Sequence, residues 1–115
     1  MNILKELMTV LESVDVPIET GVFKSKAPNT YIVLVPIGDT YPLHSDDFPE
    51  VDYQECRITL YSKANYIGLK NRITKILLNN FFYITERKYN GYDTDAGYHQ
   101  FTIDVAKNYD MEEDI

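Results

Sequence analysis

The sequence predicts an α+β domain: a mainly antiparallel sheet with two helices packed on one face. Two observations carry this. Apolar residues recur at helical spacing in two segments, and they alternate at strand spacing in the segments between and after them. The order of the segments partly segregates helices from strands, which favours a layered α+β arrangement over βαβ repeats.

The first helix is predicted over about residues 3–14. Leu4, Leu7, Met8, Leu11 and Val14 form one apolar stripe, with Lys5, Glu6 and Glu12 outside it. Asn2 is the expected N-cap, and Pro17 prevents continuation. Residues 17–23 alternate weakly and predict a short strand. Residues 25–29 carry loop chemistry. Tyr31–Val35 is a nearly continuous β-branched run, expected to be central in the sheet and closed by Pro36 and Gly38.

Residues 39–52 read as a long acidic loop with a short β excursion at Thr40–Leu43. They hold Asp39, Asp46, Asp47, Glu50 and Asp52, and no Lys or Arg stands between Lys26 and Arg57. Loops of this length in small domains are functional or disordered. Tyr41, Leu43 and Phe48 are apolar groups that a purely solvated loop does not need, so we expect an interaction arm.

Residues 53–62 alternate cleanly: Cys56, Ile58 and Leu60 inward, Glu55, Arg57, Thr59 and Tyr61 outward. The second helix is expected over about 65–79. Its stripe is Leu69, Ile73, Ile76 and Leu77; Lys70, Asn71, Arg72 and Lys75 form its wet face. Asn65 is its expected cap, and Asn79-Asn80 its stop. A strand over 81–88 follows, with a turn signal at Asn90-Gly91. The last strand, about 98–107, places Phe101, Ile103 and Val105 inward and Gln100, Thr102 and Asp104 outward. The tail from Tyr109 is acidic and expected to fray. The domain assignment is therefore 1–110 as one unit, with 111–115 a flexible acidic tail.

Composition bounds the function. The 115 residues carry a formal net charge of -7. That disfavours a protein that coats phosphate backbones or an anionic membrane surface. Cys56 is the single cysteine, so there is no internal disulfide and no multi-cysteine zinc site. Met1–Val14 lacks the basic region and cleavage site of a signal peptide, and no apolar run reaches membrane-spanning length. We expect a soluble chain kept on the cytoplasmic side.

Catalytic signals are weak. His44 with Asp46 and Asp47 offers a metal or acid–base set, but nothing else in the sequence closes a ligand shell. His99 shares a strand face with Phe101 and reads as a hydrogen-bonded core histidine. Asp93–Gly97 begins like a calcium loop, then fails at the fifth and sixth positions; a polar turn fits better. Cys56 faces inward and reads as a buried thiol rather than a nucleophile. We expect no enzyme, no cofactor and no metal. The ten tyrosines are more informative. Tyr53 and Tyr61 share the outward side of their strand with Arg57. Such rings serve protein interfaces or stack across strands, and both readings stay open.

From Tyr53 onward the run Tyr53–Ser62, the helix Asn65–Asn80, and the strands Phe82–Tyr89 and Gly97–Val105 form a pattern. It resembles the small tail-completion proteins (tail terminators and head–tail joining proteins) of siphophages and prophages of Gram-positive bacteria. The resemblance covers about residues 1–110 and rests on segment order and character. It implies a non-enzymatic virion subunit at the neck or tail end, assembled in the host cytoplasm. It implies a homo-oligomeric ring, a hexamer in the particle. Its partners would be the tail-tube protein and the head–tail connector proteins. DNA would pass through without specific binding, and acidic groups facing a lumen would let it slide. The expected interface combines Tyr41, Leu43, Asp46, Asp47, Phe48 and Glu50 of the arm with Tyr53, Arg57 and Tyr61 of the strand and Lys70, Arg72 and Lys75 of the helix. The alternative is a small acidic inhibitor, a DNA mimic acting on a host nucleic-acid-binding protein. The three cations of the second helix count against that.

Overall fold

The computed structural model describes residues 2–21, 26–40, 44–45, 48–49 and 51–110. The expected α+β fold is present. A five-stranded sheet, antiparallel except for one edge pair, carries both helices on one face.

Helix α1 spans Ile3–Val10. Asn2 caps it, accepting from the Lys5 N–H at 2.9 Å. Gln54 supplies a second cap from the sheet: its Oε1 accepts from the Ile3 N–H at 2.8 Å, while its Nε2 donates to Asp52. The helix was expected to run to residue 14; instead it tightens into a 3-10 turn at Glu12–Val14, which Asp15 ends at φ 56°. Leu11 and Val14 remain buried, so the apolar period outlasts the α-helical hydrogen bonding. The buried stripe is Ile3, Leu7, Leu11 and Val14, which leaves Met8 41% exposed rather than in the core.

Strand β1 (Ile18–Thr20) lies parallel to β2 (Thr30–Thr40) at one edge. Pro36 and Gly38 do not close β2. It continues to Thr40 with an irregularity between them. Among the described residues β1 pairs with β2 only as far as Leu34, and Pro36 lies beyond that pairing, where a missing N–H costs little on that side.

Two short segments, β3 (His44–Ser45) and β4 (Phe48–Pro49), pair with each other. Then β5 (Val51–Ser62) runs antiparallel to β2. Where the expected loop 39–52 is described, at residues 39–40, 44–45, 48–49 and 51–52, it is strand. Thr40 still pairs with Tyr53, and Val51 and Asp52 pair with Asp110 and Tyr109. The β5 ladder propagates past where turn residues alone predict a loop.

Helix α2 covers Ile67–Asn79. Asn65 accepts from the Ile67 N–H at 2.9 Å, one position earlier than a formal cap. Strand β6 (Tyr83–Asp93) is the far edge, and β7 (Tyr98–Asp110) sits between β6 and β5. Asn90-Gly91 is not a turn. Gly91, at φ 114°, lies in a bulge that lets β6 continue. The turn falls at residues 94–97, where Asp93 Oδ1 accepts from Asp95 and Ala96 and Gly97 takes φ 81°. The polar turn expected there is present.

The core lies between the helices and one sheet face. Leu7, Leu11, Ile73 and Leu77 meet Ile32, Leu34, Cys56, Ile58, Leu60, Ile103 and Val105, all fully buried. Leu4 and Leu69 pack at its margin. Tyr109, expected to fray, is buried, and its hydroxyl donates to Glu6 at 2.9 Å. Residues 111–115 lie outside the described set. A 13-residue strand spans roughly 43 Å, and the molecule is accordingly elongated, 52 × 26 × 24 Å. No helix among the described residues is long and apolar enough to cross a membrane.

Candidate interaction surfaces

The sheet face away from the helices is built from the outward positions of β2, β5 and β7. Arg57 reaches across to β7 and donates to Asp104 from Nε and Nη2, at 2.8 and 3.0 Å. Asp104 in turn holds the Arg57 guanidinium above its ordinary pKa. Asp104 was expected to be wet; Arg57 lies over it and it is buried, as are Thr59 and Thr102. Arg57 keeps a largely exposed outer surface.

At one end of this face, Tyr31 and Tyr61 stack with ring centroids 4.7 Å apart and planes 12° from parallel. Tyr98 meets both edge-on and donates to the Pro28 carbonyl at 2.6 Å. Burial, with the two neighbouring phenols, raises the Tyr31 pKa. Tyr61 is therefore a cross-strand stacking residue. Of the two readings the sequence left open, the structure places this ring in the second. Tyr53 is half-buried, opposite Thr40 and Asn108.

The helix face has its own aromatic group. Tyr66 stacks near Tyr89 and Phe101, and Lys70 Nζ sits 5.3 Å from the Phe101 ring centroid. His99 shares a 2.8 Å hydrogen bond with the Tyr89 hydroxyl and lies against Tyr92, a half-buried, hydrogen-bonded histidine as expected. Arg72 is exposed and donates to the Ser13 carbonyl at 3.5 Å; Lys75 is exposed.

The expected interface thus divides. Tyr53, Arg57 and Tyr61 share the open sheet face, whereas Lys70, Arg72 and Lys75 stand on the helix side. Strand alternation and helix period each place a residue correctly on its own element. Neither says that the helix covers the other face. Phe48 pairs with Ser45 through the backbone, and Tyr41, Leu43, Asp46, Asp47 and Glu50 lie outside the described residues, so the arm's side chains carry no geometry. His44 pairs with Pro49; its proposed partners, Asp46 and Asp47, are also outside. Among the described residues no group of three His, Cys, Asp or Glu is placed to hold a metal ion. Cys56 is fully buried, and burial pushes its thiol up to about 12, which makes it a poor nucleophile at neutral pH.

One surface was not anticipated. At the end of α2, the Phe82 N–H donates to the Leu77 carbonyl and the Phe81 N–H to the Leu78 carbonyl, at 3.0 and 3.2 Å. This is a Schellman motif, and the two residues that its hydrophobic contact would join, Leu77 and Phe82, are both buried in the core cluster. Its left-handed position, normally glycine, holds Phe81 at φ 65°. A side chain there costs about 1–2 kcal/mol. The ring is 81% exposed, beside Leu78 at 57% and Tyr83 at 57%. The Phe81-Phe82 pair following two asparagines was the available signal: only one of the two neighbours can turn inward.

A scan against protein-family models finds no match, and a search of the curated proteins finds none either.

Proposed function

We propose that this chain is a structural subunit of a phage or prophage particle. It completes the tail and joins it to the head connector as part of a ring. The observation that carries the reading is the distribution of large exposed apolar side chains around a well-packed core. Phe81, Leu78 and Tyr83 stand at one end of α2, and Val35 and Ile37 on β2 beyond its described pairing with β1, 37% and 40% exposed. Contiguous apolar exposure marks surfaces that bind protein. The long β2–β5 ladder supports the same reading, because its pairing continues to Thr40 and Tyr53, into the acidic arm sequence.

Cations and acids are also separated. Lys75 and Arg72 are exposed on α2, which has no acidic residue. Asp46, Asp47 and Glu50 lie in the arm sequence. An arm from a neighbouring subunit or partner would meet this helix with opposite charge. Rim pairs of this kind contribute about 0–1 kcal/mol each, and set register more than affinity.

Complementation tests this. A triple charge reversal, Lys70→Glu, Arg72→Glu and Lys75→Glu, supplied to a phage lacking the native chain, should give tails that fail to attach to filled heads. Normal yields of infectious particles would refute the role of this helix face.

A further inference from the structure

The Phe81 surface lies at one edge of the sheet, where α2 hands over to β6. At the opposite edge, α1 and β1 border an open depression of about 660 Å³. Met8, Val16 and Ile18 give it apolar walls, and Glu12 and Asp15 give it acid. The two surfaces complement each other. One is a projecting apolar group, with the exposed Lys75 three residues before Leu78 on the same helix face. The other is a shallow depression of mixed lining, with Met8, Val16 and Ile18 beside two carboxylates.

We propose that Phe81 and Leu78 of one copy of this chain seat in the α1–β1 depression of a second copy, with Lys75 facing Glu12 and Asp15. The two surfaces stand on opposite sheet edges, so the contact is heterologous: every subunit offers both halves. Repetition closes into a ring or extends into a filament. The exposed ring in a glycine position then has a purpose. Strain held at such a site, under a side chain 81% exposed in the subunit, fits a side chain retained for binding. The inference deepens the ring-subunit reading and rests on it for closure of the chain of contacts.

Two variants of the full chain test it, by sedimentation velocity up to about millimolar concentration, where even weak contacts populate. Phe81→Gly removes the projection and relieves the left-handed backbone. It should raise Tm by about 3–6 °C while abolishing self-association. Met8→Glu places a charge in the depression and should abolish self-association with the fold intact. Mixed together, the two should form a heterodimer and nothing larger, because each keeps the half that the other lacks. A native chain that stays monomeric throughout overturns the proposal. So does a Phe81→Gly chain that associates as the native one does, or a mixture that stays monomeric. If the contacts form as described but a phage lacking the chain joins heads to tails normally, the tail-completion reading fails and this contact stands.

Discussion

Replacing Ile73 by alanine should destabilise the fold by about 2–5 kcal/mol, read as a fall in the urea midpoint at unchanged slope. Ile73 is fully buried on the inner face of α2, with Leu77 one turn on, and belongs to the cluster that α1 and the sheet complete. The cost joins lost transfer free energy to the cavity left behind. Its size within the range reports how far α1 and β7 can settle inward. A change below 0.5 kcal/mol, of the order typical for surface positions, would mean that α2 does not pack on the sheet as described.

The second large effect is expected at a polar junction. Lys107, on β7, forms an ion pair with Glu6 of α1 and donates to the Asn80 carbonyl at 2.8 Å, at the end of α2. Its ammonium also stands 4.5 Å from the Phe82 ring centroid. Tyr109 donates to the same Glu6 carboxylate. One cation thus ties both helices to β7, at a helix C-terminus that favours positive charge. Both side chains of the ion pair are about four-fifths buried. Lys107→Met or Glu6→Gln alone should cost about 2–4 kcal/mol, because each leaves a poorly solvated charge behind. The double variant should cost less than the sum, with a coupling of about 1–3 kcal/mol. Additive effects would show that the ion pair contributes nothing.

The same region shapes the response to alkali. Burial, then the hydrogen bond to Glu6, raises the Tyr109 pKa, and burial raises the Cys56 thiol from 9.0 to about 12. Both groups hold their proton more tightly folded than unfolded. Their contribution is complete below about pH 9 and is lost as the pH climbs toward the folded-state values. Tyr109→Phe should flatten the alkaline decline, with its largest effect above about pH 10.

The fold was legible because its signals are local. The Leu7–Leu11 and Ile73–Leu77 spacings, and the alternation around Ile58 and Ile103, are periods that a buried face imposes on one element at a time. Strand ends were less legible. Pro36 and Asn90-Gly91 carry turn chemistry, yet an irregularity in each ladder absorbs them without ending the strand. The Glu6–Lys107–Tyr109 junction joins residues about a hundred positions apart, and no spacing rule reaches that far. The interaction surfaces were half legible. Charge and tyrosine content mark Arg57 and Lys75 singly, but which sheet face each occupies depends on where the helices dock. Phe81 escaped because an aromatic residue after Asn80 reads as the start of a strand. Its left-handed backbone shows only in three dimensions.

The proposed joining of tails to heads is tested most directly by electron microscopy of particles assembled without this chain. Cells producing a phage that lacks the chain should contain DNA-filled heads and separate tails, with joined particles restored when the native chain is supplied. Joined, infectious particles in its absence would contradict the account.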